Sequence, residues 1–311
     1  MQDAILDREH NLKRGKIYYL CSKSIFDELN KKNVPYAVIK GEVLSLLAYN
    51  RFGERAYGDI DILVSRNNLN LIERCLHKNY FIQNNRDNIW ARERRLFCLS
   101  NSHQLPVYRM KIGKGVLEID LNFDLFWGEY RGKRVEIDEF LQDRILLNIH
   151  GCDIWTIPPL KAMVQLLLHH YKDLNSIFIL ITKNSINFNA FKDVYYLLKN
   201  NIKEISIEKL YNICNRYNII SYAFYVLYYT NLIFKDKILE QYVKELWTPK
   251  GEELLEYYGL CLEERKKWEV DFYTRLDTKD IYSVIKKDLT EKDLSKLNIN
   301  MRLFNGEYYD E

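Results

Sequence analysis

The chain of 311 residues is long enough for one large domain or two of ordinary size, with a core that needs neither metal nor disulfide to hold it. Its 46 lysines and arginines exceed its 43 aspartates and glutamates by only three and are scattered, which argues against a surface built to grip DNA. The six cysteines, Cys21, Cys75, Cys98, Cys152, Cys214 and Cys261, form no CxxC pair, so they read as reduced thiols of a cytoplasmic protein and not as a zinc or redox motif.

The first residues, "MQDAILDREHNLKRGK", are charged throughout and lack the apolar segment of a secretory signal. Apolar residues at helical spacing then predict a helix over about Ile17 to Leu29. "VPYAVIKG" reads as a strand entering a tight glycine turn at Gly41. "EVLSLLAYN" is a helix, "DIDILV" a second strand, and "LNLIERCLHKN" a helix capped at Asn67–Asn68. Strand character returns in "FCLSNSHQLPVYRMKIGKGVLEIDLNFDLFW", with a hairpin turn at Gly113 to Gly115. The first 150 residues therefore predict a mixed sheet with helices packed on it.

The Pro158–Pro159 pair opens a helix, because a proline in the first turn lacks an N–H that the helix does not need there. Helical periodicity continues to about Leu246. The uncharged run "YNIISYAFYVLYYTNLIF" has borderline length for a membrane span, yet its asparagines, serine, threonine and tyrosines favour a buried helix. No internal repeat or Gly/Ser-rich linker separates the halves. The expected domains are 1–152 and 153–311, the second a helical domain closing over an acceptor site, and the tail "FNGEYYDE" is expected to be loose.

Asp59 and Asp61 lie two apart in an apolar strand, so they share one face while Ile60 and Ile62 turn to the core. Carboxylates held that close repel unless a cation lies between them, and a hard ion with oxygen ligands, most simply Mg²⁺, suits them. Solvation at the strand end after Gly58, or pairing with Arg55, is the alternative. Three further features favour the metal. The turn at Lys40–Gly41 hands a strand to a helix whose free N–H groups can hold phosphate; Arg55 can clamp a polyphosphate; and in "GVLEIDLNFDLFW" Glu118, Asp120, Asn122 and Asp124 alternate with Leu117, Ile119, Leu121 and Phe123, giving one acidic face.

The order of glycine turn, helix, D-x-D strand and later acidic strand resembles the polymerase β-like nucleotidyltransferase superfamily. Lys40, Gly41, Leu44, Tyr49, Arg55, Gly58, Asp59, Asp61, Leu63 and Val64 resemble one branch of it, an uncharacterised bacterial nucleotidyltransferase family. The resemblance implies an α+β fold, a mixed sheet flanked by helices and followed by a mostly α-helical C-terminal domain. It implies Asp120 as a third carboxylate, and His169 or His170 and Asp193 as counterparts of a histidine and an aspartate on later helices. It further implies catalytic and metal roles for Asp59, Asp61 and Asp120, nucleotide contacts at Lys40, Gly41, Arg55 and Gly58, and two Mg²⁺ ions, replaceable by Mn²⁺.

The reaction implied is transfer of a nucleotidyl group from a nucleoside triphosphate to a hydroxyl of a small-molecule or peptide acceptor, with release of pyrophosphate. Action on tRNA ends and a catalytically inactive nucleotide-binding protein are the alternatives. Two departures stand out. Glu42 replaces the serine that usually follows the glycine, so it must turn from the phosphates or meet a cation, and Asn122 stands where a histidine is often found. His169 and His170 with Asp173 lack the other ligands of a zinc site, so a structural role is the plainer reading.

Overall fold

The computed structural model of the chain describes residues 2–83 and 88–305. By contact the chain forms two compact units, Met1–Leu125 with Arg134–Ala162, and Phe126–Lys133 with Met163–Glu311.

The first unit is a five-stranded sheet with strands β1 (Tyr36–Val38), β2 (Asp59–Val64), β3 (Ile82–Gln83), β4 (Tyr108–Ile112) and β5 (Gly115–Asn122), in the spatial order β1-β2-β5-β4-β3. Only β2 and β5 run parallel; the other neighbours are antiparallel, so the sheet is mixed. Its helices are α1 (Gln2–Lys31), α2 (Gly41–Tyr49), α3 (Leu69–Lys78), α4 (Asn88–Asn101) and the single turn α5 (Ile137–Phe140). Apolar alternation builds the core. Ile60, Ile62 and Val64 of β2 meet Leu117, Ile119 and Leu121 of β5, with Phe26 and Leu29 of α1 and Ile72 and Leu76 of α3 packed in the same cluster.

Three elements differ from expectation. The first helix runs well upstream of Ile17, through a charged stretch that carries no apolar periodicity. Phe97–Asn101 is the end of α4 and not strand; at helical spacing Arg94 and Cys98 fall on one buried face, and Arg95 pairs with Glu73 of α3 at 2.6 Å. The segment 145–156 is a second hairpin, β6 (Ile145–Ile149) and β7 (Cys152–Thr156). Its two-residue loop, His150–Gly151, has positive φ at both positions, the geometry that matches strand twist. The hairpin is bound to the sheet unit. Thr156 donates from Oγ1 to the Val38 carbonyl at 2.7 Å, and Asn30 donates to the Asp153 carbonyl at 2.8 Å. A boundary at 152 would cut through it.

The second unit is mostly helical. Its main helices are α6 (Pro159–Asn175), α7 (Ile177–Lys183), α8 (Phe188–Asn200), α9 (Ile207–Arg216), α10 (Ile220–Phe234) and α11 (Lys237–Glu245). The tyrosine-rich run forms α10, with Tyr225 and Tyr229 buried; Tyr229 donates to the Leu255 carbonyl at 3.0 Å. Among the described residues no helix is long and apolar enough to cross a membrane. Further helices follow, the last of them Glu291–Asn305, and the tail beyond Asn305 lies outside the described residues.

Candidate active site

Strand β2 begins at Asp59, and its side chains alternate as the pleat requires: Ile60 and Ile62 enter the core, while Asp59 and Asp61 share the other face. The parallel register sets Asp59 opposite Glu118 and Asp61 opposite Asp120. Asp61 is 4 % exposed. Its Oδ1 accepts from Lys40 Nζ at 2.9 Å and from Asn122 Nδ2 at 3.1 Å, which compensates the burial. Asp120 accepts from Gln104 Nε2 at 3.1 Å. Gln104 is held there by its bridge to Asn122, beside the Leu105 N–H that donates to the Leu121 carbonyl at 2.9 Å.

Repulsion among these carboxylates leaves its mark on their proton affinities. Burial, followed by the charge of Asp61, pushes Asp59 up to about 6, against the opposing charges of Lys40 and Arg55. Burial and the charges of Asp61 and Asp59 push Asp120 up to about 7, with Lys40 and the Gln104 hydrogen bond opposing. The rest of the acidic face goes elsewhere. Glu118 pairs with Arg109 at 2.6 Å, and Asp124 pairs with Arg134 beyond the strand end.

The glycine turn lies beside this trio. The Ile39 N–H donates to the Asp61 carbonyl at 3.1 Å, and Gly41 then opens α2 at φ +56°, a left-handed conformation that disfavours any side chain. A Cβ there would sit 3.2 Å from the Tyr57 ring. Gly58 is exposed, and a Cβ on it would meet nothing within 4 Å, so the approach to Asp59 is open. Arg55 acts on Asp59 through its charge.

Glu42 does meet a partner of cationic type. It is fully buried; Oε1 lies 2.8 Å from His150 Nε2, and Oε2 accepts from the Gly53 N–H at 3.2 Å. Burial raises its proton affinity, and the two hydrogen bonds oppose that. The sequence reading had not singled out His150 or Gln104, and it had left Asn122 without a role. His150 follows the run Ile-Leu-Leu-Asn-Ile, which shows no apolar–polar alternation, and Gln104 lies in a loop with no pattern.

In the second unit, His169 Nε2 is 3.6 Å from Asp173 Oδ2. Burial would raise the Asp173 carboxyl, but His169, Lys172 and Lys183 hold it well below the usual range, and Lys183 Nζ is 2.6 Å away. That is an ion-pair cluster, not a metal site. Asp193 is buried on α8. His170 is buried on α6.

The donors gathered at β2 and β5 are carboxylates and amides, with no thiolate or imidazole among them, which is the chemistry a hard divalent cation takes. The Lys40 ammonium is seated on Asp61 at 2.9 Å. Among the described residues no three His, Cys, Asp or Glu side chains form a ready-made metal cluster.

Comparison with known proteins bears on these residues. No curated protein matches the chain. Among solved structures, an antigenic nucleotidyltransferase-like protein from Paracoccidioides brasiliensis is similar at 15% identity and a TM-score of 0.30, covering 69% of this chain and 92% of that one. Residues 7–235, which include β2, β5 and the glycine turn, match the model of a family described as uncharacterised nucleotidyltransferase, and the chain belongs to that family.

Proposed function

We propose that the chain moves a nucleotidyl group from a nucleoside triphosphate to a hydroxyl of a small-molecule or peptide acceptor. The observation that carries this reading is the register of β2 and β5, which sets Asp61 opposite Asp120 with Asp59 on the same face, beside a glycine-led helix N-terminus. A divalent cation, Mg²⁺ or Mn²⁺, would be held by Asp59, Asp61 and Asp120, and when bound it neutralises the triphosphate and acidifies the acceptor hydroxyl. Lys40 and Arg55 bind the phosphates as cations. Asp120 would help hold the cation or take the acceptor's proton. The new bond joins the acceptor oxygen to the α-phosphorus, the bond from that phosphorus to the bridging oxygen breaks, and pyrophosphate leaves.

In this reading the sheet unit performs the chemistry. The near balance of 46 basic against 43 acidic residues favours a small or peptide acceptor over long nucleic acid, and six free thiols suit a reducing cytoplasm. The test is pyrophosphate release from labelled triphosphates in cell extract with added Mg²⁺, with the modified acceptor identified by mass spectrometry. Asp61→Asn and Asp120→Asn should each cut turnover by at least about a hundredfold, roughly 2.7 kcal/mol. Retained turnover in Asp61→Asn would refute the reading.

A further inference from the structure

Lys40 is placed where it has two competing partners. Its backbone is fixed, since the neighbouring Ile39 N–H is tied to the Asp61 carbonyl and its own carbonyl accepts the first helical bond, from the Leu44 N–H at 3.4 Å. Its side chain is a long flexible stem ending in a compact charge. It precedes Gly41, at the N-terminus of α2, where the helix dipole repels a cation unless an anion is present. In the structure the ammonium has turned to Asp61, and both members of the pair are largely withdrawn from water, with side chains 12% and 5% exposed.

A carboxylate so buried requires a positive partner in every state of the site, because an unpaired charge there is strongly disfavoured. An ammonium and a divalent cation held at one carboxylate repel each other. Lys40 and Asn122 both donate to Oδ1, so a divalent cation at either oxygen of Asp61 would lie within a few ångström of the ammonium.

We propose that Lys40 is the exchangeable counter-ion of this site: it holds Asp61 while no divalent cation is bound, and it is released to the phosphates of the triphosphate when one arrives. The proposal rests on the metal-dependent transfer reading above. It assigns Lys40 a task that a plain phosphate clamp lacks, which is to keep the aspartate face neutralised until a divalent cation arrives. It also requires that metal and ammonium compete.

The experiment is Mn²⁺ binding to the full chain without nucleotide, read by electron paramagnetic resonance, for the wild type, Lys40→Met, Lys40→Arg and Asp61→Asn. Lys40→Met should bind Mn²⁺ about tenfold or more tightly than the wild type, since no cation has to be displaced. Lys40→Arg should bind no more tightly than the wild type. A measurement on the unmutated protein guards against a variant that does not fold: Mn²⁺ should raise the rate of Lys40 acetylation by acetic anhydride, followed by peptide mass spectrometry, by about tenfold as the ammonium leaves its buried pair. Unchanged or weaker Mn²⁺ affinity in folded Lys40→Met, or an acetylation rate indifferent to Mn²⁺, overturns the exchange. If Asp61→Asn abolishes Mn²⁺ binding in either of those cases, the transfer reading stands and only the exchange falls. If the wild type and Asp61→Asn bind Mn²⁺ alike, or neither binds it, both fall.

Discussion

Replacing Asp120 by asparagine should stabilise the metal-free protein at alkaline pH, with a gain that shrinks as the pH falls and vanishes below about pH 4. Asp120 carries a proton affinity raised from 3.8 to about 7, chiefly by burial and by the charges of Asp61 and Asp59. Because the folded-state value lies above the unfolded one, the folded chain holds more protons than the unfolded chain between about pH 4 and 7. Stability contributed by the protonated form is therefore complete below that window and lost as the pH rises through it. A rise of roughly three pH units at ~1.4 kcal/mol each sets a ceiling on the order of 4 kcal/mol. Part of that is shared with Asp59, which titrates against the same neighbours, so about 2–4 kcal/mol should be recovered in Asp120→Asn at pH 8. The amide still offers Gln104 an acceptor, so the hydrogen bond at 3.1 Å need not be lost. Calorimetric melting in EDTA at pH 5 and pH 8 reads the effect. The variant should melt about 3–6 °C above the wild type at pH 8, and above it by roughly a third of that gap at pH 5, which lies inside the titration window. A variant that melts at or below the wild type at pH 8, or an equal gap at both pH values, would refute the electrostatic account.

The remaining predictions concern the surroundings of the trio. Arg55→Ala should raise the KM for nucleotide more than it lowers kcat, because a clamp on phosphates away from the reacting centre contributes uniform binding; an unchanged KM counts against the clamp. Glu42→Ser should retain activity per folded molecule but lose about 2–4 kcal/mol in urea denaturation, since it strands the buried His150 Nε2 and the Gly53 N–H; undiminished stability would show the pair to be dispensable. Gly41→Ala should cost about 1–2 kcal/mol, from the left-handed backbone and the approach to the Tyr57 ring, and a denaturation midpoint equal to that of the wild type would argue otherwise.

The parts of the site that were legible in the sequence obey a period of two. Asp59 and Asp61 between Ile60 and Ile62, and Asp120 between Ile119 and Leu121, could be assigned a face because alternation has one solution once the apolar side is buried. The register that joins Asp61 to Asp120 was not legible, since it depends on which strands are neighbours and how they slide. Glu118 and Asp124 show the limit of the method: they alternate like Asp120, yet Arg109 and Arg134 claim them. Phe97–Asn101 was misassigned because apolar residues near a strand-rich segment were read without the upstream turns of α4 that make them helical. The Glu42–His150 pair spans a long separation in sequence, and only tertiary structure brings it together.

The order in which the chain closes its sheet has a consequence for its synthesis. The hairpin that supplies His150 to Glu42 and Thr156 to β1 emerges from the ribosome after Phe126–Lys133, a strip that belongs to the helical unit. The sheet unit therefore cannot be completed when Leu125 has been made; Glu42, buried at the start of α2, stays without its histidine until translation has passed the second hairpin. Phe126–Lys133 meanwhile must wait for Met163 and beyond. The N-terminal body can be finished only once Ala162 has been made, and until then the nascent polypeptide must hold an incomplete sheet. A fragment cut at Leu125 would be that nascent state made permanent.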